Sequence, residues 1–170
     1  MNSSAESAVG IVASLHLHPT QAGASFTGVS SIQAVAGKGI EGNPRYFERT
    51  SRSGGPSRRQ VSLIEREQVM QHAVALGLPE IAPGVVRANI ETSGINLIQL
   101  IGRQVRIGDA LLLFYEARLP CSKMDAICQG LRELMLHDRQ GVMAEVLQSG
   151  TIRVGSSVRL ETVEKTARTC

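Results

Sequence analysis

Along most of the chain apolar and polar residues alternate in short runs, each broken by glycine or proline, which is the pattern of strands joined by tight turns. Val9 to His18 alternates through Val9, Ile11, Leu15 and Leu17 and ends at Pro19. Gly28 to Val35 predicts a second strand, with Ile32 and Val35 facing a core. Further strands are expected over Arg59 to Ile64, over Val85 to Glu91 (carrying Arg87 and Asn89) and over Gln104 to Ile107. The most apolar run, Ala110 to Tyr115, reads as a fully buried strand. Gly150 to Gly155 and Val158 to Leu160 read as a closing hairpin.

Helical spacing occurs in three places. Ser62 and Glu65 have the spacing of a capping box, and the helix that follows runs to Leu76 before Gly77, with Val69, Met70, Ala73 and Val74 on its core face. Asp125 to Met135 places Ile127, Leu131, Leu134 and Met135 at helical intervals around the weak position Gly130. Gly141 to Leu147 predicts a short third helix. Many short strands with a few helices predict a mainly β fold, a β-barrel with helical excursions, with α+β as the alternative. Strands and helices do not alternate regularly, which disfavours a doubly wound parallel sheet. A length of 170 residues suits one domain, 1–170, with its core over about 9–160 and polar, frayed ends at 1–7 and 161–170.

Composition narrows the function. Aromatic residues make up only 3% with no tryptophan, which argues against nucleic acid bound by base stacking. The three cysteines have no zinc-type spacing, no run is apolar enough to span a membrane, and the first residues lack the features of a secretory signal. A reducing cytoplasm is the expected setting. The net charge of +3 is local in origin: Arg45, Arg49, Arg52, Arg58 and Arg59 stand against the single acid Glu48 between Pro44 and Gln60. That concentration points to one anionic ligand more than to a general attraction to polyanions. The glycine-rich turn from Gly37 to Pro44 has neither the Walker pattern nor the dinucleotide fingerprint.

The candidate chemistry sits where the buried strand ends. Pro120 is followed by Cys121, with Arg118 and Lys123 on either side. Neighbouring cations favour a thiolate, the form that attacks electrophiles, carries sulfur or ligates a soft metal. The competing reading is a small buried hydrophobe, the usual fate of a free cysteine and the one expected for Cys128 on its apolar helical face. The four histidines lack metal-ligand spacing and are assigned surface or packing roles.

Taken in order, Gly39-Ile40-Glu41-Gly42-Asn43, Arg59-Gln60-Val61, Arg87-Ala88-Asn89-Ile90, Ile107-Gly108-Asp109-Ala110, Arg118-Leu119-Pro120-Cys121 and Gly150-Thr151-Ile152-Arg153-Val154-Gly155 form a set. With it the chain resembles the MOSC domain, the module named for the C-terminal part of molybdenum cofactor sulfurase, from about Val9 to Leu160. The resemblance implies a β-barrel of the pyruvate-kinase type and a site for the molybdenum cofactor, molybdopterin. It implies that Cys121 ligates molybdenum or carries a persulfide, with Arg118, Arg87 and Asn89 at the cofactor. Small stand-alone members are similar to bacterial proteins that reduce N-hydroxylated base analogues. Where the family has Gly-Asp after the glycine turn, this chain has Gly42-Asn43, so a carboxylate is missing from the site. The residues expected to bind cofactor are therefore Arg118, Arg87, Asn89, Arg58, Arg59, Gly42 and Asn43, with Cys121 as the catalytic or metal-binding thiol. The functional expectation is a sulfur carrier or a cofactor-dependent reductase, meeting a small-molecule substrate and a redox or sulfur-donor protein. The alternative is a non-catalytic polyanion-binding or scaffold module with a degenerate site.

Overall fold

The computed structural model describes residues 9–162. Its frame is a closed barrel of seven strands: β1 (Gly10–Leu17), β5 (Val61–Glu65), β6 (Ile90–Ser93), β7 (Gln104–Ile107), β8 (Ala110–Ala117), β9 (Val142–Gln148) and β11 (Ser157–Leu160). Around the barrel the order is β11-β7-β8-β9-β5-β6-β1, closed by β1 pairing back to β11 at Gly10↔Val158. The pairs are antiparallel except β5–β6, which is parallel. The short strand β2 (Thr27–Val29) extends β1 beyond the barrel. A second sheet of β3 (Ser31–Val35), β4 (Gly39–Ile40) and β10 (Gly150–Arg153) lies beside the barrel, and Ile32, Ala34, Ile40 and Ile152 bring it into the same apolar core as the barrel strands. The mainly β expectation holds.

Helices α1 (Arg66–Ala75), α2 (Lys123–Ile127) and α3 (Leu131–Leu134) pack together on a smaller apolar cluster centred on Ile64, Val69, Met124 and Leu131. Helix α1 buries Val69, His72 and Ala73, whereas Val74 is 77% exposed and Met70 lies at the surface, so its core face is turned from the one predicted. The capping box does not form, because Ser62 lies inside β5 and its hydroxyl is committed to Asn89. The helix expected over 125–135 breaks at Cys128–Gly130, where Gly130 has φ +93°. Cys128, half-buried, packs at the edge of that cluster.

Three further expectations are corrected. Residues 141–147 form the central strand β9, not a helix: Val142, Ala144 and Val146 face the core, and Met143 on the opposite face is covered too. Leu147 on that outer face is apolar as well, though 36% exposed, so the period-two signal disappears. The predicted strand over 28–35 is two strands in different sheets, divided at Ser30. The predicted hairpin likewise splits, with β10 pairing to β3 and β11 to β7 and β1. In each case a turn carries the chain from one sheet to the other, a connection that local alternation cannot distinguish from a hairpin.

Gly141, at the entrance of β9, marks the tightest approach. Its φ is +81°, and a Cβ there would collide with the Leu63 carbonyl oxygen and lie 2.8 Å from Ile64 Cα. Gly141→Ala is expected to cost about 2–4 kcal/mol from backbone strain plus overpacking. Gly23→Ala has the same φ with open space around it and should cost only the strain, about 1–2 kcal/mol. Urea denaturation of the two variants measures the difference.

Candidate functional site

The mouth of the barrel near the ends of β1, β5 and β8 holds a cavity of about 460 Å³. Of the residues expected at a site, Cys121, Arg118, Arg87, Asn89 and Arg59 all line it. Cys121 is exposed at its lip, on the turn that opens α2, where its carbonyl accepts the Met124 N–H. Arg58 does not line it: the guanidinium stacks over Tyr115 at 4.3 Å and pairs with Glu145 at 3.3 Å. Gly42 is an exposed turn glycine with φ +78°, and Asn43 is buried behind the wall.

Arg118 is the deepest of the cations. Its backbone N–H donates to the Gly141 carbonyl. Its guanidinium donates to the carbonyls of Gln140 and Arg87 at 3.3 and 3.2 Å. Burial pulls its pKa down to about 10, against the raising influence of Cys121, so it stays charged at neutral pH. No carboxylate among the described residues pairs with it, nor with Arg45, Arg59, Arg87 or Lys123, which also line the cavity. The lining includes one acid, Glu116, which is exposed. A partly desolvated cation without a counter-charge is costly, and an anion entering the cavity would offset that cost.

Arg87 is not on a strand as expected. The strand begins at Ile90, and Arg87 takes the left-handed conformation, φ +63°, in the turn before it. This turn lays its guanidinium over the Phe26 ring at 4.9 Å. Asn89 follows and cross-links the wall. Its Oδ1 accepts from the Ser62 backbone N–H and hydroxyl at 3.2 and 3.1 Å. Its Nδ2 donates to the His16 carbonyl at 3.1 Å.

Sequence reasoning missed His18 as a lining residue and gave it only a surface or packing role. The ring packs against Phe26 and Tyr46, with centroids 4.3 Å away in both cases and the rings tilted by 50° and 41°. Asn43 Oδ1 lies 2.9 Å from both the His18 backbone N–H and Nδ1. Burial pushes the His18 pKa down to about 4, opposed by the Asn43 hydrogen bond and reinforced by Arg87, Arg118 and Arg45. The signal was present in the pair of aromatic residues flanking the glycine turn, yet it links residues too far apart to be read without the fold. Tyr46 and Arg45, the start of the arginine-rich loop, join the cavity in the same way, and Arg49 reaches back over Tyr46 at 5.4 Å.

No group of three or more histidine, cysteine or acidic side chains among the described residues is placed to hold a metal ion unaided. No helix among the described residues is long and apolar enough to cross a membrane.

A closed β-barrel with a cation-rich cavity and a thiol at its rim is the class of protein that fold and site describe. A family model for the MOSC domain matches residues 49–159, and the chain belongs to that family. The YuaD protein from Bacillus subtilis has a similar structure, with a TM-score of 0.76 at 19% identity over 92% of this chain and 97% of that one. YiiM from Geobacillus stearothermophilus gives 0.70 at 18% identity, over 93% and 78% of the two chains. YiiM from Escherichia coli gives 0.65 at 18%, over 90% and 70%. At these identities the likeness is one of fold. No curated protein matches the chain by sequence.

Two stability predictions follow from the wall. Asn89→Ala strands the Ser62 and His16 backbone groups in a buried place and should cost about 2–4 kcal/mol in a urea melt. His18 stays neutral in the fold down to about pH 4, while in the unfolded chain it protonates near its ordinary 6.5. As pH falls from 7 the unfolded state takes up the proton first, so stability is lost between about 6.5 and 4. This contribution, on the order of 2–3 kcal/mol for a half-buried ring, should be missing in His18→Phe. Melts of both proteins at pH 7 and pH 4.5 compare the slopes.

Proposed function

We propose that the cavity binds the molybdenum cofactor and that Cys121 is its sulfur ligand or sulfur-carrying group, in a reductase or a sulfur carrier. The observation that carries the reading is Arg118, a half-buried cation without a carboxylate partner among the described residues, lining the same cavity as an exposed thiol. Family membership supports it, since the MOSC domain is associated with this cofactor. The donor set suits the ligand. Molybdopterin ends in a phosphate, which arginine forks recognise through paired N–H donors. Its metal is soft and already chelated by a dithiolene, so a single protein thiolate is enough to reach it.

Arg118, Arg87, Arg59 and Arg45 would hold the phosphate and the acidic parts of the pterin, and Cys121 would face the metal. When bound, the cofactor supplies a two-electron redox centre. The chain's own contribution is to neutralise the cofactor's charge and to present the sulfur from a turn open to solvent. Asn89, whose hydrogen bonds go mostly to Ser62 and His16, keeps the wall in shape and leaves at most one amide N–H for a ligand. Asn43 supports His18 from behind. The fourth cation of the arginine-rich segment, Arg58, is occupied with Tyr115 and Glu145 and takes no part.

The test is expression in a host that makes the cofactor, followed by measurement of bound molybdenum in the wild type and in Cys121→Ala. Near-stoichiometric molybdenum in the wild type, with a several-fold loss in the variant, is expected. A folded wild-type protein without molybdenum overturns the reading.

A further inference from the structure

The hydrogen bonds around His18 fix more than its position. Asn43 Oδ1 accepts the His18 backbone N–H, so the atom at that place is the amide oxygen and not the nitrogen. An oxygen 2.9 Å from Nδ1 requires Nδ1 to carry the proton. The neighbouring Asn89 Nδ2 spends one of its two N–H groups on the His16 carbonyl at 3.1 Å, and at 3.4 Å it lies farther from Nδ1 than Asn43 Oδ1 does. The neutral ring therefore has its lone pair on Nε2. That atom has no hydrogen-bond partner among the described residues, and the ring lines the cavity. Arg45, Arg87 and Arg118 are near enough for their charges to act on the ring, and the cavity's other acceptors include the unpaired Gln140 Oε1 and the exposed Glu116 carboxylate.

From this arrangement we infer that His18 Nε2 is a selectivity element: it accepts a hydrogen bond from the ligand, so the cavity favours oxyanions that carry their own O–H over those that carry none. The inference rests on reading the cavity as an anion site and adds the kind of anion; for a phosphate monoester, whose second pKa is about 6, it selects the singly ionised form that still carries an O–H. Cations alone attract any oxyanion of suitable charge. A fixed acceptor among them repels a bare oxygen lone pair and rewards a hydroxyl, because two acceptors facing each other leave both lone pairs unpaired. Inorganic phosphate keeps at least one P–O–H across the neutral range, whereas sulfate is fully ionised and has none. The asparagine contributes by fixing the tautomer without adding charge. A carboxylate in its place would stabilise a doubly protonated ring, which donates from both nitrogens and would lose the discrimination.

The test is calorimetric titration of the protein with inorganic phosphate and with sulfate, at pH 6.5 and matched ionic strength. The wild type is expected to bind phosphate about tenfold or more tighter than sulfate. His18→Phe, which keeps an aromatic ring beside Phe26 and Tyr46, should lose the preference for phosphate and bind sulfate as tightly or more tightly, as expected when the cations act alone on a dianion and a mostly singly charged phosphate. Equal binding by the wild type, or a preference that survives in His18→Phe, overturns the inference, and so does a wild type that binds neither anion. In parallel, nitrogen NMR of the wild-type histidine rings needs no variant. It should show His18 protonated at Nδ1 and bare at Nε2 from pH 5.5 to 8, with the Nε2 signal moving on addition of phosphate but not of sulfate. A ring protonated at Nε2 is the contrary result. Molybdenum content is measured separately, so a protein that holds the cofactor without discriminating phosphate from sulfate refutes this inference and leaves the proposed function standing.

Discussion

Asn89 is the point on which the site's geometry depends. The parallel pair β5–β6 begins only at Leu63↔Ile90, so just outside it the chains must separate. There the side chain of Asn89 takes the place of the missing ladder. It accepts twice from Ser62, donates to the His16 carbonyl, and its own backbone N–H and carbonyl bond to Ser62 and His16 in turn. One buried amide thus ties β5 to β1 across the open corner of the barrel. Arg87, two residues before it, and His18, two after His16, are brought to the cavity by the same knot. Behind it the fully buried Glu91 receives Arg66 at 3.0 Å and the Gly84 N–H at 2.6 Å, fixing the turn from which Arg87 projects.

The cavity's charge is a consequence of how the arginines are held. Arg118 and Arg87 donate to backbone carbonyls, and Arg87 also lies on an aromatic ring, but neither meets a carboxylate. Carbonyl partners orient a guanidinium without cancelling its charge, so the field at the cavity stays positive. The same aromatic groups order the arginine-rich loop. Tyr46 stacks on His18 and carries Arg49 on its ring, and Thr50 bridges to Pro56, so a segment without strand or helix period has a defined course. The loop is part of the pocket wall through Arg45 and Tyr46 and part of the outer surface through Arg52 and Arg58.

The barrel was legible because most of its strands alternate or are continuously apolar, and because glycine and proline mark their ends. Strand β9 was not, since its outer face also carries the apolar Met143 and Leu147, which broke the alternation and left a run of Val, Met, Ala and Leu that fits a helix equally well. Where strands switched sheets, at Ser30 and at 154–156, the missing information was tertiary. At the site, Cys121, Arg118, Arg87, Asn89 and Arg59 could be named because they stand in short, ordered motifs. Arg58 could not be separated from Arg59 by sequence, as which neighbour faces inward depends on how the chain enters β5. His18 was hidden for another reason: its role arises from Phe26, Tyr46 and Asn43, none of which is informative alone.

The positions of cation and thiol divide the work between scaffold and turn. Arg118 continues the β8–β9 pairing through the Gly141 carbonyl, so its guanidinium inherits the rigidity of the barrel. Cys121 lies three residues further on, past the buried Pro120, on an exposed turn that makes few contacts. Precision in the cations suits binding, because a charge displaced by even an ångström from its partner loses directional hydrogen bonding. In the function proposed for it, the sulfur needs access more than rigidity. The chain places cation and thiol on opposite sides of one proline, which ends the ladder and turns the next residue outward.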